Sequence, residues 1–374
     1  TKIIVVYLHK SQWLLLYTLN IMDELYYQAI DLLKELISTP STSRDENAAA
    51  DIIERHLKSH NHDTHRHGNN VWAIAPGYDP GLPTLLLNSH IDTVKPAAGW
   101  SRDPFTPEED DGGRIYGLGS NDAGASLVSL IAAFLYMSRQ PRNYNLIMLA
   151  SAEEEVSGKN GIESVIPLLP EITVAIVGEP TGMNPAIAEK GLMVLDAEVT
   201  GVAGHAARDE GDNAIYHAVD AIATLKNLRL PVVSDMLGPV KISVTQINAG
   251  TQHNVVPDLC KMVVDVRTTD AYSNEETLEL IRRAAPDCRF IPRSTRLNPS
   301  HIDPGHPIVK RLEILGFTPF GSPTLSDQAL MPWQSVKVGP GQSSRSHTAD
   351  EYIFADEIRE AIATYIHLLN GLNL

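Results

Sequence analysis

Four short apolar runs, each ending in polar residues, constrain this chain more than any other feature. They are "NVWAIAP" from Asn70, "TLLLNSH" from Thr84, "YNLIMLAS" from Tyr144 and "VAIVGEP" from Val174. None alternates with the period of two that a half-exposed strand shows; successive positions are apolar, as expected for parallel strands covered on both faces. Between and before them lie helical patterns: "DELYYQAIDLLKELIS" from Asp23, "DENAAADIIERHLKSH" from Asp45, with Ser43 or Asp45 as its cap, and the strongly apolar "AGASLVSLIAAFLYMSRQ" from Ala123. The alternation predicts a doubly wound α/β sheet, whose ligands collect at the carboxyl ends of the strands.

At about Ala186 the grammar changes. "GLMVLDAEVTG", "VKISVTQINAG" and "CKMVVDVRTT" alternate, and helical patterns at "DNAIYHAVDAIATLKNL" and "SNEETLELIRRAA" fall among them, with "CRFIP" as a closing strand. That order describes a two-layer α+β sandwich with one sheet face exposed. From about Arg296 the earlier grammar resumes through "PIVKRLEIL", "SVKVGP" and "ADEIREAIATYIHLLNGL". The expected organisation is therefore a larger α/β domain over 22–185 and 296–374, interrupted by an inserted α+β domain over 186–295. Residues 1–21 read as an extension outside the fold, because their apolar halves are broken by His9, Lys10, Ser11 and Gln12 and neither reaches the ~20 residues of a membrane helix.

Length and charge exclude some functions. A chain of 374 residues, 43% hydrophobic and 20% charged, can bury a large core. Its 46 acidic against 30 basic residues give a formal charge of -16, the wrong sign for a phosphate-backbone partner. Two cysteines, Cys260 and Cys288, without CxxC spacing, make a reducing cytoplasm the expected compartment. No nucleic-acid or membrane partner is expected.

The strand ends carry residues of metal-ligand type. His90 and Asp92 stand at i and i+2, on one side of an extended chain. Asp122 lies in "GLGSNDAGAS", Glu153, Glu154 and Glu155 follow "LIMLAS", Glu179 ends "AIVGEP", and His347 sits in "SSRSHTADEY". Singly, each reads as a surface or turn residue. In one parallel sheet, however, all of these segments end on the same edge, and clustered carboxylates there repel one another unless divalent cations neutralise them. Two other tracts lack such support. The five histidines from His56 to His67 lie in a polar connection and read as a solvated loop, and "YGLGSNDAG" has neither GxGxxG spacing nor a P-loop lysine.

Taken in order, "SHID" at 89–92, "SNDAG" at 120–124, "SAEEEV" at 151–156, "VGEPT" at 177–181, "GHAA" at 204–207, "NVVPD" at 254–258 and "HTADEY" at 347–352 resemble the dinuclear zinc family of acetylornithine deacetylase, succinyl-diaminopimelate desuccinylase and carboxypeptidase G. The likeness runs from about Asp23 to the C-terminus and is strongest to the acetylornithine deacetylases. It implies two zinc ions, with cobalt as a substitute: His90 and Glu179 on one, Glu155 and His347 on the other, and Asp122 bridging. It further implies Asp92 orienting His90, Glu154 as general base, a cis Asp122–Ala123 peptide, and His205 stabilising the oxyanion from a partner subunit of a homodimer formed by the inserted domain. Asn254 and Arg267 would bind substrate, and Lys190 and Arg345 are weaker substrate contacts. Three consecutive glutamates leave the register of base and ligand open by one residue. The implied activity is amide hydrolysis of an N-acyl amino acid, N-acetylornithine or an N-acyl citrulline, in arginine biosynthesis. Succinyl-diaminopimelate desuccinylase, a zinc dipeptidase and a non-catalytic scaffold are the alternatives.

Overall fold

The strand Thr84–His90 is buried at all seven positions and lies parallel between Asn145–Ser151 and Val174–Val177. The structure, a computed structural model, describes residues 21–374; apart from Ile21, the expected N-terminal extension lies outside the described residues. Gln334–Lys337 adds to Val174–Val177, also in parallel. Asn70–Ile74 pairs with the other side of Asn145–Ser151 and Thr64–His67 pairs with it in turn, both antiparallel. The sheet is thus mixed. Asn70–Ile74 runs antiparallel to Asn145–Ser151, whereas its continuous apolar run reads as parallel; a turn at Gly68, with φ 57°, joins it to Thr64–His67. Burial on both faces makes a strand apolar whichever way it runs.

Helix Ala125–Met137 is buried at every position but Tyr136, as its unbroken apolar sequence requires. It packs against the C-terminal helix Ala355–Leu369, whose Tyr365 is fully buried and donates its hydroxyl hydrogen to the Val338 carbonyl at 2.7 Å. Helix Asn47–Ser59 begins without a side-chain cap, preceded by Glu46. Neither Ser43 nor Asp45 caps it; Ser43 instead donates to Asp92 at 2.7 Å.

Two compact units divide the chain. The first comprises residues up to Pro185, Asp303–Pro319 and Pro332–Leu374, and the second Ala186–Ile302 with Phe320–Met331. In the second, four antiparallel strands lie in the order Lys241–Ala249, Leu259–Thr268, Gly191–Thr200, Cys288–Pro292. Burial alternates along Gly191–Thr200, and Met193, Leu195, Ala197 and Val199 form a core with Met262, Val264, Leu225 and Ile281. Helices Ala214–Asn227 and Asn274–Ala284 contribute to this core; the second starts with a capping box between Ser273 and Glu276. The unit extends past residue 295 because strand Ala186–Glu189 takes Ser300–His301 as an antiparallel neighbour and Phe320–Ser322 as a parallel one. Among the described residues, no helix is long and apolar enough to cross a membrane, and both cysteines are buried and free.

Candidate metal centre

The parallel strands of the first unit aim their carboxyl ends at one edge, where the loops gather the histidines and carboxylates. His90, at the end of the central strand, has a side chain only 1% exposed. Its Nδ1 donates to the Asp92 carbonyl at 2.8 Å, which leaves Nε2 facing Asp122 Oδ1 at 3.3 Å and Glu179 Oε1 at 3.8 Å. The ring is therefore oriented chiefly by the backbone of Asp92, with the carboxylate at 3.4 Å. That carboxylate turns to the next loop, accepting the amides of Glu154 at 3.0 Å and Glu155 at 3.1 Å and the Ser43 hydroxyl. Burial opposes the charge on Asp92, but the His90 ring and these donors outweigh it and hold the carboxyl below its usual range.

The three glutamates separate sharply. Glu153, in the left-handed region with φ 56°, buries its carboxylate against Asn160, whose Nδ2 donates at 2.9 Å. Glu154 and Glu155 both lie within metal-sharing distance of His90. Glu155 also meets His347 Nε2 at 3.0 Å, and the same nitrogen lies 3.5 Å from Asp122 Oδ2. Asp122 is thus shared between two triads, His90–Asp122–Glu179 and Asp122–Glu155–His347. The Asp122–Ala123 peptide is cis, as the resemblance implies.

The donor set fits a pair of divalent cations. Two imidazoles and three carboxylates form the mixed nitrogen and oxygen set that suits zinc. Protein alone leaves these groups in tension: burial pushes Glu179 up to about 8, with His90 opposing and the charge of Asp122 adding to the shift. The hydrogen bond to Glu155 raises His347 to about 9 in spite of its burial. His90 Nε2 thus lies between Asp122 and Glu179, and His347 Nε2 between Asp122 and Glu155, two places where positive charge is favoured.

Two buried carboxylates at this edge escaped the sequence reading. Glu351, 2% exposed, accepts the amides of Gly119, Asn121 and Asp122, and burial followed by the charge of Asp122 pushes it up to about 8 against those bonds. Glu46, fully buried, accepts the amides of Arg44 at 2.5 Å and Glu153 at 3.3 Å and the side chain of Asn69 at 2.8 Å. Glu351 lies within the motif "HTADEY", where the sequence reading gives it no role, and Glu46 has no sequence signal beyond an acid just before the apolar run "ENAAADII".

His205, Asn254 and Arg267 belong to the second unit. Strand pair Gly204–His205 and Val255–Val256 sets His205 beside Asn254, whose carbonyl accepts the Ala206 amide at 2.9 Å. His205 is exposed, and its Nδ1 accepts the Ala207 amide at 3.1 Å, so the ring proton of the neutral form sits on Nε2. The Arg267 guanidinium is half-exposed and held by both oxygens of Asp265, at 3.0 and 3.2 Å. Arg345 pairs with Glu357 at 2.6 Å and stacks over Tyr352, bracing the turn that leads to His347. The histidine tract is not a solvated loop: His56 lies in the last turn of helix Asn47–Ser59 with its ring tilted against His60, His62 is buried against Phe134, and His65, on strand Thr64–His67, stacks on Trp72.

Known proteins resemble this chain in sequence and in fold. The chain is 28% identical to the succinyl-diaminopimelate desuccinylase of Nautilia profundicola over 299 residues, covering 76% of this chain and 80% of that one. It is 29% identical to the acetylornithine deacetylase of Edwardsiella ictaluri over 325 residues, covering 80% and 83%. In fold it is similar to the Bacillus subtilis YXEP protein, described as a dinuclear metal binding peptidase, with a TM-score of 0.72 and 17% identity over 93% of this chain and 98% of the other. Residues 86–371, which span every strand-end ligand type described above, match one family throughout: the chain belongs to peptidase family M20/M25/M40.

Proposed function

We propose that this protein is a zinc-dependent amidohydrolase that removes the acyl group from the α-nitrogen of an N-acyl amino acid, N-acetylornithine or an N-acyl citrulline, in arginine biosynthesis. The observation that carries the reading is the pair of three-residue groups sharing Asp122, with Glu154 beside them. His90 and Glu179 would hold one ion, Glu155 and His347 the other, and Asp122 both, with cobalt able to substitute. Bound there, the ions supply positive charge that polarises an amide carbonyl and acidifies water.

The chain's own residues do the rest. Glu154 takes a proton from the attacking water on its carboxylate and returns it to the departing amine nitrogen. Asp92, through the amides of Glu154 and Glu155, holds base and ligand in one rigid turn. His205, with its proton on Nε2, is a ready donor to the oxygen that becomes negative during attack. Asn254 and Arg267 are assigned to the substrate, Arg267 clamping its carboxylate with the two-pronged geometry that Asp265 now occupies.

A homodimer through the second unit completes the proposal. Strand Lys241–Ala249 lies at the edge of its sheet and is exposed from Thr245 onward, with Ile247 50% exposed. Beside it, helix Ala214–Asn227 exposes Tyr216 and Val219. An uncovered, partly apolar edge of this length invites pairing with a second copy.

The desuccinylase relative supports a second reading, removal of a succinyl group from N-succinyl-diaminopimelate in lysine biosynthesis. Assaying the purified zinc-loaded protein for free amine release from N-acetylornithine, N-succinyl-diaminopimelate and a dipeptide separates these readings. N-acetylornithine is the expected substrate. Turnover of the dipeptide alone would replace the biosynthetic reading with a peptidase.

A further inference from the structure

Asp122 comes from the loop before helix Ala125–Met137, and His347 from a segment 225 residues later, so something must set these two strand-end loops in register. Two contacts join them. Asn121 Nδ2 donates to the Gln342 carbonyl at 3.1 Å and to Ser346 Oγ at 3.3 Å, while its Oδ1 accepts the Gln342 amide at 3.0 Å. Deeper in, the carboxylate of Glu351 accepts the amides of Asn121 and Asp122 on Oε1, both at 2.9 Å, and that of Gly119 on Oε2 at 3.1 Å.

Three backbone donors from four consecutive residues converging on one point form the concave arrangement that proteins use to bind anions. Here the anion is internal, a side chain four residues beyond His347. The loop has little alternative conformation. Gly119 has φ 74°, a Cβ there would lie 2.6 Å from Thr93 Cγ2, and one on Gly124 would lie 2.4 Å from the Gly119 carbonyl oxygen. Ser120, the remaining residue of the four, donates its amide to the Gly117 carbonyl at 3.1 Å, and Gly117 in turn donates to the Glu351 carbonyl at 3.0 Å.

We propose that Glu351 is a positioning residue for the metal centre: its carboxylate pins the amides of residues 119–122 and so fixes Asp122 where both triads can share it. The proposal rests on the two-ion reading given above. Glu351 does not ligate; it acts through Asp122 on one side and through the backbone leading from His347 on the other. Partners of this kind behind metal ligands are worth about 10- to 100-fold in metal affinity or activity.

The test compares wild type with Glu351→Gln and Glu351→Asp. Gln keeps the shape but sets an amide N–H₂ against a backbone donor; Asp keeps the charge but falls short of the loop. Zinc affinity is measured by chelator competition, the cobalt-loaded absorption spectrum is recorded, and hydrogen exchange is followed over residues 119–122 in the metal-free protein. Expected for E351Q are a roughly 10- to 100-fold weaker hold on zinc, an altered cobalt spectrum, a kcat lowered to match with KM within about twofold, and exchange at 119–122 at least about tenfold faster, with E351D shifted the same way. Wild-type affinity and spectrum in a folded E351Q would overturn the proposal. Should E351Q not fold, E351D carries the comparison, and unprotected amides at 119–122 in the folded wild type overturn it without any variant. Failure of the wild type to take up two ions would instead sink the two-ion reading, and the exchange measurement still reports on Glu351.

Discussion

Asp92 shows how much chemistry one side chain's surroundings decide. From the sequence it reads as the orienter of His90, but the ring rests mainly on its carbonyl, while its carboxylate gathers the amides of Glu154 and Glu155. Asp92→Asn would place an N–H₂ against one of those amides, and the expected result is about a 10- to 100-fold loss of metal affinity or turnover, read by zinc titration and steady-state kinetics. Glu154 is the opposite case. Glu154→Ala removes the proposed base and leaves the five ligand positions intact, so it should keep its zinc and lose ~10² to 10⁴ in kcat with KM little changed. Near-normal kcat would move the base to another carboxylate. His90, Asp122 and Glu179 stand out as candidate ligands because each lies at the end of an apolar run or in a Gly-rich turn, and the structure gathers them with His347. The register within Glu153–Glu155 was not, since three like residues carry no internal sign of direction; it takes the left-handed φ of Glu153 to turn that side chain to Asn160 and the next two toward His90.

At the scale of elements, the turn after Asn145–Ser151 depends on what its neighbours leave open. Gly158 has no side chain because one would lie 1.8 Å from Glu153 Oε2 and 2.6 Å from its Cβ, both part of the buried anchor of the turn. Its role is space, not backbone freedom. Gly158→Ala should therefore cost ~1 to 3 kcal/mol of stability, as overpacking a close-packed site does, and lower turnover by displacing Glu154 and Glu155. Thermal melting and kinetics check this together; an unchanged melting point would mean that Glu153 is not anchored as described. The continuous apolar runs announced buried strands well, because two-sided burial writes itself into every position. Strand direction did not show: Asn70–Ile74 runs antiparallel with the same composition as its parallel neighbours. Nor did the start of helix Asn47–Ser59: Ser43 is drawn to Asp92, and the residue at the cap position is Glu46 rather than Asp45, its carboxylate accepting the amides of Arg44 and Glu153 instead of capping the helix.

For the whole molecule, the second compact unit begins at Ala186, where the alternating runs begin, and it takes in Phe320–Met331, which no pattern in the sequence sets apart. The strand Phe320–Ser322 is three residues long and contains a glycine, too short to carry a period, yet it returns to pair with Ala186–Glu189. What the second unit contributes to the reaction is the question on which the homodimer proposal can be tested directly. If His205 serves the site of the other subunit, then Glu154→Ala and His205→Ala damage different halves of each working site. Each variant alone should be nearly inactive. Mixed under conditions that allow subunits to exchange, half of the dimers become heterodimers, and in each of these one site combines an intact Glu154 with an intact His205 from across the interface. Activity should then recover to about a quarter of the wild-type level, the statistical result for a two-fold dimer with shared sites. If His205 acts within its own chain, every site keeps one defect and mixing restores nothing, even where scattering shows a dimer. Adding Ile247→Lys to both variants, on the exposed edge strand, should abolish the recovery by separating the subunits; recovery that persists would place the interface elsewhere.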